Sequence, residues 1–217
     1  DYTSLIPELD ASENIELLNP LSKDLNVMRQ SLKFSGLENI TYNQNRKNTD
    51  IKFYEFGKTY HKNKDGNLEN QHLQLLVSGR INFENWNSSN DKVDFYFVKE
   101  KVEHILSRLG IKKLKSEVVS THGFADGLMY KFKNKRLVCF GKLDKKLCKA
   151  FGVKSDVYAA DFNWDLVLEL VGNTNIKYKE VSKFPEVRRD LSLLVDKSVS
   201  FDELNKIAKQ TDNKILT

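Results

Sequence analysis

Four histidines (His61, His72, His104, His122) and two cysteines (Cys139, Cys148) are the side chains with the widest chemical range in this 217-residue chain. Metal binding or nucleophilic catalysis needs such residues in groups. No histidine stands in a His-x-x-x-His or His-Glu-x-x-His pair, and the cysteines are too far apart for a Cys-x-x-Cys half-site. All four histidines read as surface or packing residues. Cys139, between Val138 and Phe140, reads as a small buried hydrophobe. Asp161 and Asp165 lie four apart, a spacing that suits one helix face. Flanked by Phe162 and Trp164, they read as solvated carboxylates rather than an acid–base or metal pair. No Gly-x-x-x-x-Gly-Lys loop or Gly-x-Ser-x-Gly elbow occurs. The residues alone define no catalytic, cofactor or metal site.

The elements that position these residues form an α+β pattern. Residues 1–14 read as a polar tail, and Ile15 to Leu18 as a short strand stopped by Asn19-Pro20. Phe34, Leu37 and Ile40 predict a short helix. The aromatic run Ile51 to Tyr60, the turn signal Asp65-Gly66 and the run Leu73 to Ile81 predict a hairpin. Val98, Val102, Ile105, Leu106 and Leu109 mark the clearest helix, with Asp94 as N-cap and Gly110 at its end. Glu117 to Thr121, Leu128 to Phe132 and Leu137 to Leu143 read as three short strands. Asp144 then caps a helix from Lys145 to Phe151. Val157 to Phe162 is a strand, and Trp164 to Val171 a helix ended by Gly172. Ile176 to Val181 is a further strand. Phe184-Pro185 marks a boundary, followed by a strand over Leu191 to Val195 and a helix over Ser200 to Gln210 with a capping box. Hairpin-joined strands imply an antiparallel sheet rather than a doubly wound one.

Composition narrows the classes. Hydrophobic residues make up 40% and charged residues 30% of the chain, which excludes wholesale disorder. No run approaches the ~20 apolar residues of a membrane span, so no membrane role is expected. The chain begins with Asp1 and shows no signal peptide, so it reads as a fragment of a cytoplasmic protein. The net charge of +5 is uneven: residues 111–154 hold twelve basic and three acidic residues, and the rest 23 and 27. That stretch is either a footprint for a polyanion such as RNA or a solvated lysine face; its poverty in Arg favours the second.

Several segments in order resemble one family. Leu18-Asn19-Pro20-Leu21-Ser22 and Val27-Met28-Arg29-Gln30-Ser31-Leu32 look like the start of the class II-like core in the β subunit of bacterial phenylalanine–tRNA ligases. Phe53-Tyr54-Glu55-Phe56-Gly57-Lys58-Thr59-Tyr60 is similar to that family's Phe-Glu-Ile-Gly-Arg-Val-Phe strand, with Lys58 in place of Arg. Val93-Asp94-Phe95-Tyr96-Phe97-Val98-Lys99 resembles its Val-Asp-Phe-Phe-Asp-Leu-Lys helix entry. Phe140-Gly141-Lys142-Leu143 matches loosely, and His122-Gly123-Phe124 lacks the family's Pro. Lys183 to Leu191 is close to the Phe-Pro-x-x-x-Arg-Asp-Leu opening of the ferredoxin-like anticodon-binding domain.

The resemblance implies a class II synthetase-like core, an antiparallel sheet flanked by helices, over 15–181, followed at 182–217 by a truncated ferredoxin-like domain. It implies a catalytic α subunit as partner in an α2β2 heterotetramer, tRNA(Phe), and ATP with Mg2+ for the holoenzyme. Active class II sites place one Arg after the second-motif strand and another in Gly-x-Gly-x-x-Arg. Here His61-Lys62-Asn63-Lys64 follows Tyr60, and no Gly-x-Gly-x-x-Arg occurs. The fragment is therefore expected to lack catalytic, cofactor and metal residues. Asn19, Pro20, Arg29, Leu32 and Leu37 are expected at a subunit interface. Lys142, Lys145, Lys146 and Lys149 are expected to attract tRNA diffusely. For Arg29 an internal salt bridge competes with the interface role, and Glu55 reads as a buried structural acceptor. The alternatives are a free-standing class II-like paralogue and a stand-alone RNA-binding domain.

Overall fold

The computed structural model describes residues 3–22, 26–112, 114–172, 178, 180, 183, 185 and 187–212. The chain divides into two compact units, Asp1–Ile176 and Lys177–Thr217. This division falls a few residues before the expected 181/182 boundary.

In the first unit, α1 (Lys33–Gln44) leads into β1 (Ile51–Asn63), which turns at Asp65-Gly66 into β2 (Gly66–Ser78). The two strands pair antiparallel along their whole length, from Ile51 opposite Ser78 to Asn63 opposite Gly66. Gly66 has a φ of +131°, a conformation open to glycine alone at little cost. Next come α2 (Phe95–Arg108), β3 (Lys115–Val119), β4 (Phe124–Phe132), β5 (Lys135–Leu143), α3 (Lys145–Ala150), β6 (Val157–Asn163) and α4 (Trp164–Gly172). The six strands form one antiparallel sheet in the order β1-β2-β6-β5-β4-β3.

Side-chain alternation divides the strands between two cores. On one face Leu76, Cys139, Val157 and Ala159 pack with Leu37 and Ile40 of α1 and Leu147 and Cys148 of α3. On the other, Leu73, Val138, Phe140, Ala160 and Phe162 pack with Val98, Val102 and Leu106 of α2 and Leu166 and Val167 of α4. The caps follow their expected chemistry. The Asp94 carboxylate accepts from the Phe97 N–H at 2.8 Å, and the Asp144 carboxylate from the Lys146 N–H at 2.6 Å. Gly110 ends α2's last turn with a φ of +70°.

Three expectations are corrected. Residues 3–14 are no tail: they hold two short 3-10 turns, Thr3–Leu5 and Ala11–Glu13, and Ile6 is 2% exposed in the first core. Apolar Leu5, Ile6 and Leu9 outweigh the segment's polar look by covering that face of the sheet. The strand expected at Ile15 to Leu18 reduces to one bridge between Glu16 and Val27. In the second unit, Leu191 to Val195 pairs with nothing among the described residues, and Leu191 and Leu194 are exposed. The strand expected at Ile176 to Val181 lies largely outside the described residues, as does Phe184. The second unit's α5 (Phe201–Thr211) forms as expected, with Ser200 and Glu203 making a reciprocal capping box.

Candidate functional site: a polar cleft on the sheet

The face that carries α1 and α3 is apolar at one end and polar at the other. Register explains this. Glu55, Gln74, Asp161, Cys139 and Met129 stand opposite one another across β1, β2, β6, β5 and β4, so they project from one face. One step further along, Gly57, His72 and Asn163 form the next row. A cleft of about 260 Å³ opens over these rows. The segment before α1 roofs it with Gln30, Ser31 and Leu32; Lys33, His122 and Arg136 complete the wall.

A hydrogen-bonded chain fills the cleft floor. Asp161 Oδ2 lies 3.0 Å from Lys33 Nζ, and its Oδ1 lies 2.7 Å from His72 Nδ1. His72 Nε2 lies 3.1 Å from the Thr59 hydroxyl. Burial pushes the Asp161 carboxyl's pKa up. The Lys33 ammonium, the His72 hydrogen bond and the Arg136 charge outweigh that and hold it well below the usual carboxylate range. The solvated Asp161–Asp165 pair expected on one helix face is thus corrected. Asp161 is a buried strand residue, whereas Asp165 opens α4 and accepts from Gln71's backbone and side-chain amides at 2.8 and 3.0 Å. His72 likewise is a buried network member. Burial and the Arg136 charge lower the pKa of His122, which sits at a φ of +56°.

Arg29 resolves inward. Its Nη1 lies 2.7 Å from Glu55 Oε1, and its Nε donates to the Lys58 carbonyl at 3.1 Å. Gly57 makes room for it: a Cβ there would meet Arg29 Nη2 at 2.5 Å and Leu32 Cδ2 at 2.9 Å. The Arg29 side chain is still 38% exposed. Leu32 and Leu37 are 2% and 0% exposed. That corrects their assignment to a subunit interface, because both side chains are spent inside the chain's own core. Asn19 and Pro20 are exposed, flanked by Leu18 at 99% and Leu21 at 98%. The bridge at Glu16 and Val27 holds the base of this apolar tip.

The basic stretch is not one free surface. Lys142 pairs with Asp156 at 2.7 Å, which raises its pKa, and Lys135 lies 3.5 Å from Glu169. Both acids lie outside the stretch. Lys145, Lys146 and Lys149 are exposed on α3 and make no ion pair among the described residues. Cys139 and Cys148 are buried and free, and burial pushes both thiols up to about 11.

The donor set does not fit ATP with Mg2+. Both Asp161 oxygens are engaged, one by the Lys33 ammonium and one by the His72 ring, and the described residues contain no group of three or more His, Cys, Asp or Glu able to hold a metal. Arg80 is committed to Asp50 and Glu84, and Arg108 lines a groove beside Phe56 and Trp164, on the face packed by α2 and α4. Arg136 is the one arginine lining the cleft among the described residues. The sequence reading passed over Arg136, Lys33 and Gln30. Only strand register and the fold of the segment before α1 bring them together. No helix among the described residues is long and apolar enough to cross a membrane.

A six-stranded antiparallel sheet with helices on both faces and a polar cleft on one is the class II aminoacyl-tRNA synthetase architecture. Two solved structures of pyrrolysyl-tRNA synthetase from Desulfitobacterium hafniense share it. They align with TM-scores of 0.56 and 0.59 at 15% and 16% identity, over 75% and 80% of this chain and 55% and 59% of theirs. The family described as phenylalanyl tRNA synthetase beta chain CLM domain matches residues 2–164, and the chain belongs to that family. Among curated relatives, the phenylalanine–tRNA ligase beta subunits of Bacteroides fragilis and Bacteroides thetaiotaomicron are 45% and 46% identical over 93% and 99% of this chain. That of Porphyromonas gingivalis is 31% identical over 93%. The chain spans about a quarter of these relatives' length: 26%, 28% and 26%.

Proposed function

We propose that this chain is a non-catalytic class II-like module of a phenylalanine–tRNA ligase β subunit. It assembles with a catalytic α subunit in an α2β2 heterotetramer and helps position tRNA(Phe) during cytoplasmic, ATP- and Mg2+-dependent charging. The observation that carries the reading is the cleft. Adenylate chemistry concentrates negative charge on phosphate oxygens and requires several free cations there. Here the Lys33 ammonium is paired with Asp161, which leaves Arg136 as the one Lys or Arg side chain among the described cleft residues without an ion pair. The match to a beta-chain family and to beta-subunit relatives supports the assembly role, since a beta subunit implies a partner subunit.

The exposed tip Leu18-Asn19-Pro20-Leu21, with Arg29, supports a contact surface for the α subunit. Apolar side chains so fully exposed are the usual core of a protein interface. The free amines of Lys145, Lys146 and Lys149 support diffuse attraction to tRNA. In the second unit, the exposed Phe201 and Ile207 on α5 support the start of a ferredoxin-like domain, which needs further strands to cover them.

The test is co-expression with the matching α subunit, read by sedimentation. We expect a stoichiometric complex that Leu18→Asp with Leu21→Asp breaks while the chain stays folded. A wild-type chain that sediments apart from the α subunit would overturn the reading.

A further inference from the structure

Two stretches far apart in sequence bring basic charge to one place in the first unit. Arg46 and Lys47 follow the end of α1, while α3 and the turn after it carry Lys145, Lys146, Lys149 and Lys154. Three hydrogen bonds hold these two ends together. Thr41 Oγ1 donates to the Phe151 carbonyl at 2.6 Å, the Gln44 amide donates to Ser155 Oγ at 2.6 Å, and the Lys154 N–H donates to Gln44 Oε1 at 3.5 Å. Phe34 of α1 also stacks on Phe151, with ring centroids 5.9 Å apart.

All six cations are exposed, and none makes an ion pair among the described residues. Residues 41–49 and 145–155 contain no Asp or Glu. The three acids that border them are committed elsewhere: Asp50 to Arg80 at 2.8 Å, Asp144 to the Lys146 N–H at 2.6 Å and Asp156 to Lys142 at 2.7 Å. Glu38 is the one acid on α1. Like charges gathered by a fold repel one another, and an anionic partner removes that cost.

Arg46 is held ready for such a partner. Its guanidinium carbon lies 3.4 Å from the centre of the Tyr42 ring, and its Nη1 donates to the Tyr42 carbonyl at 3.0 Å. A stacked, hydrogen-bonded guanidinium has already given up side-chain freedom, so less is lost when it seats a phosphate. The poverty in arginine of residues 111–154 spoke against a polyanion site there, but Arg46 comes from outside that stretch.

The spread of the cations over two helix ends fits a row of phosphates rather than one. A single strand needs aromatic faces on which its bases stack. Tyr42 is the one exposed aromatic in the two stretches, and Arg46 covers one of its faces. A double-helical stem is recognised through its shape and backbone and needs no such platform.

We propose that the ends of α1 and α3 form one docking surface for the phosphate backbone of a double-helical RNA stem, with Arg46 gripping a phosphate and the lysines flanking it. The proposal rests on the reading of the chain as part of a tRNA ligase, and it gives the diffuse attraction of Lys145, Lys146 and Lys149 a defined second half.

The test measures binding of a short fluorescent RNA hairpin, and of oligo(U) of equal length, to the 217-residue chain by anisotropy across a salt series. The expected result is micromolar binding of the hairpin that falls steeply with salt and is several-fold tighter than that of oligo(U). Arg46→Gln with Lys47→Gln should weaken hairpin binding about tenfold and lower the salt slope by about 2. Arg46→Lys keeps the charge but loses the stacked fork, and should weaken binding several-fold at an unchanged slope. Lys99→Gln with Lys101→Gln removes the same charge from α2, on the other face of the sheet, and should leave binding unchanged. Trp164 fluorescence in urea checks that each variant is folded. Hairpin binding that survives Arg46→Gln with Lys47→Gln but is weakened by Gln at Lys145, Lys146 and Lys149 would overturn the two-part surface and leave the diffuse attraction standing. Tighter binding of oligo(U), or no saturable binding of the hairpin, would also overturn it. Assembly with the α subunit, read separately by sedimentation, would stand through each of these results.

Discussion

Asp161→Asn is the most informative single substitution. Lys33 Nζ is 3.0 Å from Asp161 Oδ2, with the two side chains 4% and 13% exposed. At an effective dielectric of about 20, two unit charges at that distance attract by roughly 5–6 kcal/mol, most of it offset by desolvation in the intact pair. Asparagine keeps the volume and an acceptor for His72 but strands the Lys33 ammonium in the core. Breaking a buried pair in this way costs about 3–5 kcal/mol. The double variant Lys33→Met, Asp161→Asn removes both charges and should recover at least half of that loss. The assay is urea unfolding followed by tryptophan fluorescence. Trp164 packs edge-on against Phe56 with ring centroids 4.9 Å apart and reports the first unit, while the chain's other tryptophan, Trp86, is 95% exposed. The pH dependence carries a sign. The Asp161 carboxyl titrates below its ordinary value in the fold, so its contribution is complete above about pH 4 and is lost as the pH falls towards the folded value. Asp161→Asn should flatten that acid limb. A loss below about 1 kcal/mol, or a double variant as unstable as the sum of the singles, would refute the claim that the network locks the cleft floor.

The packing around other residues sets further outcomes. A Cβ at Gly141 would run into the Asp126 carbonyl and lie 2.5 Å from the Gly127 Cα, both backbone, so Gly141→Ala should cost about 2–3 kcal/mol in urea unfolding. Cys139 and Cys148 should resist a thiol reagent at neutral pH until the chain unfolds. Their folded pKa of about 11 exceeds the ordinary 9.0, so the fold holds protons the unfolded chain loses, and stability should fall as the pH rises from 9.0 towards 11. Asp94→Ala removes the α2 cap and should cost about 1 kcal/mol by the same unfolding assay. Replacing Lys145, Lys146 and Lys149 by Gln should lower the salt slope of tRNA binding by about 2–3 while sparing the fold, as these side chains are exposed.

The sheet was legible because its signals are local. Asp65-Gly66, the Asp94 and Asp144 caps and the apolar periodicity of α2 each specify an element without help from distant residues. Residues 3–14 misread as a tail because a few scattered apolar side chains, Ile6 foremost, matter only once the sheet face they cover exists. Leu32 and Leu37 misread as interface for the related reason that helical spacing tells which side chains share a face but not what covers it. The cleft was illegible altogether. Lys33 and Asp161 are 128 positions apart, and His72 and Asp161 are 89 apart. Nothing in either neighbourhood announces the other; antiparallel register alone makes them partners. The resemblance to a synthetase β subunit supplied the fold where periodicity could not choose among sheet topologies, and it carried no information about Arg136 or Gln30.

The central claim is that a class II fold has been kept without adenylate chemistry. Pyrophosphate exchange into ATP tests it most directly. It is run on the folded chain with Mg2+ and each of the twenty amino acids in turn, with the Trp164 signal as the check on folding. Exchange at background is the expected result for every amino acid. Exchange above background that disappears in Arg136→Gln would contradict it.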